Sequence, residues 1–188
     1  MTYQPNNYEH LLGIKGFSEQ LLKNHLTLYQ GYVTNTNKLM DSFNAMSDDA
    51  KSATPEFAEL KRRFGWEFNG MRLHELYFEN LTTEAKKPSP ELLKKIEDSF
   101  GSIEKWGNDL KATATMRGIG WVILYQDQGR LFNAWINEHD TGHLSGCKPI
   151  LVLDMFEHAY MLDYQLKKAD YIEAFFKAID WEVVNKRV

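Results

Sequence analysis

Apolar and aromatic side chains in the first half of the chain recur at steps of three and four. Leu22, His25, Tyr29, Tyr32 and Leu39 share one face of a long helix, entered through Ser18 as its N-cap and running to about Asp48. Phe57, Leu60, Phe64, Met71, His74 and Phe78 trace a second such face. Residues 47–55 between them are polar and turn-like, so the two helices are expected to fold back on each other as an antiparallel hairpin.

The stretch Lys86-Lys87-Pro88-Ser89-Pro90 breaks this pattern and is the expected domain boundary, with a helical hairpin domain over 1–87 and a mixed α/β domain over 88–188. Ser89 followed by Pro90 starts a helix over 91–99, Gly101 stops it, and Ser102 opens another that ends near Gly118. Residues 121–125 and 131–136 read as two strands joined at Asp127-Gln128-Gly129, and 150–153 as a third. Asp170 and Glu173 read as a capping box ahead of Ile172, Phe175, Phe176 and Ile179, the stripe of a closing helix. The expected fold class is α+β: a long antiparallel helical hairpin, then a three-stranded antiparallel sheet flanked by helices.

Composition narrows the partners. With 43% hydrophobic residues in 188, the chain can bury one substantial core or two small coupled ones. The net charge of −4 is spread over interspersed acids and bases, which offers no basic face to nucleic acid and no polybasic cluster to a membrane. The first ten residues lack the pattern of a secretory signal, and no run approaches the roughly 18 apolar residues of a membrane span, so a soluble cytoplasmic protein is expected. Cys147 is the single cysteine, which excludes an intrachain disulfide, and it reads as core filler rather than nucleophile.

The third strand ends on Asp154, and His158 follows four residues later in the stretch DMFEHAYMLDY. A carboxylate buried at a strand end needs a cation or several donors to stay ionised. His25 and His74 lie on the apolar stripes of the two facing helices, where an imidazole must find partners for both ring nitrogens. Each alone fits a hydrogen-bonded core histidine. Together with Asp154 and His158 they offer three imidazole nitrogens and a carboxylate oxygen, a donor set that suits iron or manganese and leaves room for solvent. Asp154 equally fits a helix N-cap, with Glu157 completing a capping box, and spacing does not decide between the two.

Asp154, Glu157, His158, Ala159 and Tyr160 resemble the D-x-W-E-H-A-Y signature of the iron/manganese superoxide dismutases. Tyr32-Val33-Thr34-Asn35-Thr36-Asn37 is similar to the family's Y-V-x-N-x-N segment, and His74-Glu75-Leu76-Tyr77-Phe78 to its H-x-x-F-W. Gly118-Ile119-Gly120-Trp121 resembles its G-x-G-W, and Asp170-Tyr171-Ile172 its D-Y-I, so the resemblance covers nearly the whole chain in order. It implies the ligands His25, His74, Asp154 and His158, one iron or manganese ion per chain held between the two domains, and a fifth position left to solvent. It further implies disproportionation of superoxide anion to dioxygen and hydrogen peroxide, with protons relayed through Tyr32. A homodimer or tetramer is implied as well, with Glu157 reaching the ligand histidine of a partner subunit. Tyr160 and Lys168 fall in the same channel-or-interface group, Lys168 where an arginine often guides the anion.

The chain also departs from the family pattern near the centre. The family's first ligand precedes the helix tyrosine by eight residues, yet that position here is Asn24, and His25 precedes Tyr32 by seven. A one-residue shift follows, which puts Tyr29 in the place of a channel histidine and makes it a competitor of Tyr32 for the gateway, with Tyr32 preferred. Gly70 and the stretch Asn137-Glu138-His139-Asp140 stand where a glutamine is common; His139 is the expected catalytic substitute, although the bare sequence equally allows a loop histidine. Phe156 replaces a tryptophan, and His10 and His143 read as loop residues. Because these departures touch the centre, a metal-binding relative that has lost dismutation is the second reading. A di-iron bundle would require recurring E-x-x-H pairs, which are absent from the sequence.

Overall fold

The Ser18 side chain accepts a hydrogen bond from Leu21 N at 3.1 Å and so starts α1, Glu19–Ala45. The structure, a computed structural model, describes residues 2–47, 49–84 and 86–188. α1 ends at Ala45, where Met46 N turns back onto the Ser42 and Phe43 carbonyls; the end expected near Asp48 falls on a residue outside the described ones. The linker read as a polar turn contains a short helix, α2, Asp49–Ser52. Thr54 then caps α3, Pro55–Glu79, with Pro55 at its first position, where a missing N–H costs nothing. Ring contacts fix the antiparallel sense: Phe43 meets Phe57 and Phe64 at one end, and His25 meets Phe78 at the other. Burial grows toward that second end, since Phe57, Leu60 and Phe64 are half-buried while Met71, His74 and Phe78 are fully buried.

Ser89 caps α4, Pro90–Phe100, which Gly101 ends in the left-handed conformation, and Ser102 caps α5, Ile103–Ala114. α5 stops four residues before Gly118, because the Thr115 hydroxyl turns back onto the Ala112 carbonyl and the chain bends before the sheet begins. β1 (Gly120–Asp127), β2 (Arg130–Asn137) and β3 (Lys148–Asp154) form an antiparallel sheet in the order β2-β1-β3. Gln128 and Gly129, at φ 45° and 83°, make the two-residue turn that matches the strands' twist. At Gly120 any side chain would run into the Ile136 carbonyl of the paired strand, so only glycine lets β1 begin there.

Three helices close the chain: α6 (Met161–Tyr164), α7 (Lys168–Ala178) and α8 (Trp181–Lys186). Asp170 and Glu173 do not form the expected capping box. α7 begins at Lys168 without a side-chain cap, Asp170 sits in its first turn, and Glu173 pairs with Lys111 of α5. Aspartate is favoured both as an N-cap and in the first helical turn, where it meets the positive end of the helix dipole, and here the second preference holds. One continuous apolar core joins the hairpin to the sheet, running from Leu22 and Phe78 through Trp121 and Leu153 to Phe175. Among the described residues no helix is long and apolar enough to cross a membrane.

The chain end is tied to this core by Arg187. Its guanidinium donates to Asn80 Oδ1 at 2.6 Å, to Glu79 at 2.7 Å, and to the Leu76 and Ile150 carbonyls at 3.3 Å. Asn80 is fully buried and donates in turn to the Val152 carbonyl at 2.7 Å. Arg187→Ala strands the Asn80 oxygen without a donor and should cost about 2 kcal/mol in urea unfolding; an unchanged midpoint would show that the clamp adds nothing.

Candidate metal centre

β3 delivers Asp154 to the end of the sheet, paired with Trp121 in register. The chain then bends through a 3-10 turn, Glu157–Ala159, that brings His158 back over the Asp154 carboxylate. α1 and α3 supply His25 and His74 from the buried end of the hairpin. Asp154 Oδ2 lies 3.1 Å from His158 Nε2, 3.2 Å from His25 Nε2 and 3.7 Å from His74 Nε2. The four donor atoms fall within 4.8 Å of one another, and all of these residues but the half-buried His158 are closed to solvent. Asp154 Oδ1 does accept from a backbone N–H, that of Phe156 at 2.8 Å, but Phe156 itself occupies the cap position of the turn and Glu157 points into solvent, so no capping box forms.

The chemistry of these donors fits a cation. His74 Nδ1–H donates to the Gly70 carbonyl at 2.6 Å, which leaves a lone pair on Nε2 facing the carboxylate. That nitrogen is buried and has no hydrogen-bond partner. Burial lowers the His74 pKa well below the ordinary histidine value, with His25 adding to the effect, and burial lowers that of His25 despite the opposing Asp154. Burial alone would raise the Asp154 pKa, but the charge of His158 and the hydrogen bonds from His158 and His25 outweigh it and hold the carboxyl below the usual range. Three imidazole Nε2 atoms gathered on one ionised carboxylate are a donor set that suits a first-row transition metal, and His74 Nε2 already presents its lone pair there.

A second set of side chains walls the centre. Tyr32 stacks on His74 with ring centroids 5.1 Å apart, and its hydroxyl lies 2.7 Å from His139 Nε2. His139 is fully buried, which excludes the exposed-loop reading. Trp121 Nε1–H donates to His139 Nδ1 at 3.1 Å, so the His139 proton sits on Nε2, toward Tyr32. Burial drops the His139 pKa to about 4 and pushes the Tyr32 phenol up to about 12, so His139 is neutral and Tyr32 protonated at neutral pH. Phe156 stacks between His139 and His158, at 4.7 Å and 5.3 Å, and Trp66 meets His139 edge-on at 4.8 Å. A Cβ at Gly70 would lie 2.5 Å from the Tyr32 ring, so glycine there makes the space that Tyr32 fills.

The remaining expected site residues lie elsewhere. Tyr29 accepts from Asn6 N at 3.0 Å and donates to Glu75 at 2.9 Å, packed against Tyr8 and Phe78. On an ideal helix Tyr29 and Tyr32 are rotated about 40° and 20° to opposite sides of His25, which sends only Tyr32 toward His139. Glu157, Tyr160 and Lys168 line a surface pocket with Met116 and Ile119, where Lys168 sits 5.7 Å above the Tyr160 ring and donates to the Gly118 carbonyl. Sequence reasoning missed Trp66 and the donor role of Trp121. Neither carries a signal of its own, because an indole on a helix or strand reads as core.

The depressed histidine pKa values link protonation to folding. The unfolded chain binds a proton at His139 near pH 6.5 and the folded chain only near pH 4, so this contribution is full above 6.5 and is lost as pH falls from there toward 4. His25 and His74 act in the same direction. The metal-free protein should therefore lose roughly 2 kcal/mol between pH 7.5 and 5 from His139 alone, read by denaturant unfolding at both pH values. Equal stability at both would mean that His139 is not held neutral.

A sequence profile of the iron/manganese superoxide dismutases, C-terminal domain, matches residues 88–187. An iron superoxide dismutase of Aquifex pyrophilus is 39% identical over 98% of this chain and 90% of its own length. A manganese superoxide dismutase of Haloarcula marismortui is 36% identical over 88% of this chain and 82% of its own length. An iron superoxide dismutase of Saccharolobus solfataricus is 31% identical over 85% and 79%. A profile that matches more than half of the chain, relatives that align along most of it, and a sheet and hairpin that converge on the same four donors lead to one assignment: the chain belongs to the iron/manganese superoxide dismutase family.

Proposed function

We propose that this chain is a superoxide dismutase, converting two superoxide anions and two protons to dioxygen and hydrogen peroxide with one iron or manganese ion per chain. The observation that carries this reading is the buried convergence of His25, His74, Asp154 and His158, with His74 Nε2 left without any other partner. These four residues would hold the ion. A bound iron or manganese ion supplies a one-electron couple that superoxide can both reduce and reoxidise. The same ligand set serves either metal, and the relatives carry both names.

The protein's own residues manage protons and access. Tyr32, kept protonated by burial, and His139, carrying its proton on Nε2, form a short donor pair beside the ligands, and peroxide formation consumes protons. Trp121 fixes the direction of that pair by occupying His139 Nδ1. Phe156, Trp66 and Trp121 keep the walls apolar, which admits a diatomic anion and excludes bulk water. On a chain of net charge −4, Lys168 supplies local positive charge for an anionic substrate.

We read residues 1–87 and 88–188 as two domains with the centre between them, and the protein as a homodimer or tetramer. Glu157 is exposed and surrounded by the exposed apolar side chains of Met116, Ile119 and Met161, which suits a contact with a second copy in which Glu157 orients the partner subunit's ligand histidine. Light scattering should give at least a dimer mass, and a monomer would overturn this part.

Metal content and superoxide turnover measured on one preparation test the central reading. The wild type should hold about one iron or manganese per chain and dismute superoxide, and His25→Ala should lose both together. Tyr32→Phe should keep the metal and lower turnover by about 10–100-fold, since only a proton donor is removed. A wild type that stays loaded with either metal yet does not turn over superoxide would overturn the assignment.

A further inference from the structure

His139 is held at three points, and the third lies outside the centre. Its ring is fixed by Trp121 on one nitrogen and Tyr32 on the other. Its backbone carbonyl is 2.8 Å from His143 Nε2, and His143 Nδ1 lies 2.7 Å from the Tyr125 hydroxyl. A carbonyl can only accept, so His143 carries its proton on Nε2 and donates it there, which leaves Nδ1 to accept from the Tyr125 O–H. Trp121 and Tyr125 are four residues apart on β1, and His139 and His143 four apart on the loop after β2. The loop is thus pinned to the strand by two parallel rungs, Trp121 to His139 and Tyr125 to His143.

The loop needs such a pin. Glu138 takes a positive φ of 52° and Gly142 one of 97°, and the backbone between them closes through the Asn137 and Thr141 pair at 3.1 Å and 3.3 Å. Glu138 N reaches the Ile119 carbonyl only at 3.5 Å. Among the described residues, no other hydrogen bond to the His139 peptide is as short as the one from His143.

We propose that His143 is a positioning residue for the reaction: through the His139 carbonyl it sets where the His139 ring stands between Trp121 and Tyr32. This rests on the reading that His139 serves the metal centre. His143 touches none of the four metal-ligating residues in the bonds described, so its effect must travel through His139. A defect at 143 therefore appears first as a loosened Trp121 to His139 bond, before any loss of the global fold.

The indole N–H of Trp121 reports that bond directly. In the metal-free, 15N-labelled full chain the five tryptophans give five indole signals, with Trp121 assigned by its loss in Trp121→Phe. His143→Ala opens onto a surface cavity of about 190 Å3 lined by Tyr125, Leu144 and Cys147, so the fold is expected to survive. In that variant solvent exchange of the Trp121 indole should quicken by about tenfold while the buried Trp106 signal is unchanged. His143→Gln, whose amide can donate to the carbonyl and accept from Tyr125, should restore most of the protection, and Tyr125→Phe should fall between. Three results would overturn the proposal: wild-type exchange in His143→Ala, equal quickening of Trp121 and Trp106, or a Gln variant as fast as the Ala one. Superoxide turnover of the same proteins loaded with iron or manganese separates the two questions. A wild type without turnover would sink the functional reading, while the exchange series would still decide whether His143 holds His139.

Discussion

A carboxylate with no access to water sits at the buried end of β3, and the structure is organised to keep it ionised. Asp154 cannot be hydrated, so it must be met by protein donors or a cation. Protein donors meet it from two directions, α1 with His25 and the turn after β3 with His158, while α3 brings the unprotonated His74 Nε2 alongside it. Behind it the Tyr171 hydroxyl donates to its carbonyl at 2.7 Å and lies 3.2 Å from the Tyr77 hydroxyl. The hairpin packs with its most buried end toward the sheet, where the histidines it carries reach the buried carboxylate.

Much of this could be read from residue order. The helix starts at Ser18, Ser89 and Ser102 were legible because a short side-chain oxygen before an apolar stripe has one common structural use. The three strands were legible from their apolar runs and the tight turn at Gln128-Gly129. The four donors were legible singly as histidines on apolar stripes and a carboxylate closing a strand, and the resemblance to a known family joined them. Their convergence was not legible from periodicity, since the contact of His25 with Asp154 spans 129 residues of sequence.

What escaped the sequence has a common cause. Asp170 was misread because one side chain satisfies two neighbouring helix positions, and only the backbone decides which. Tyr29 and Tyr32 share a stripe, and the few tens of degrees that separate them decide which meets the centre. Trp121 combines core packing with a donor role, and an indole's partner is set by a loop eighteen residues away. In each case the missing information is orientation, which residue type does not encode.

Gly70 shows how tightly two of these choices are bound together. The absent side chain on α3 and the Tyr32 ring on α1 claim the same volume, so the positions behave as one unit rather than two. A polar group long enough to reach the centre from position 70 would have to displace the tyrosine. With that approach closed, a donor must arrive from the opposite wall, and the loop after β2 is the segment that brings one. In redesign, moving the donor to the helix and keeping the tyrosine are mutually exclusive unless the spacing of the two helices also changes.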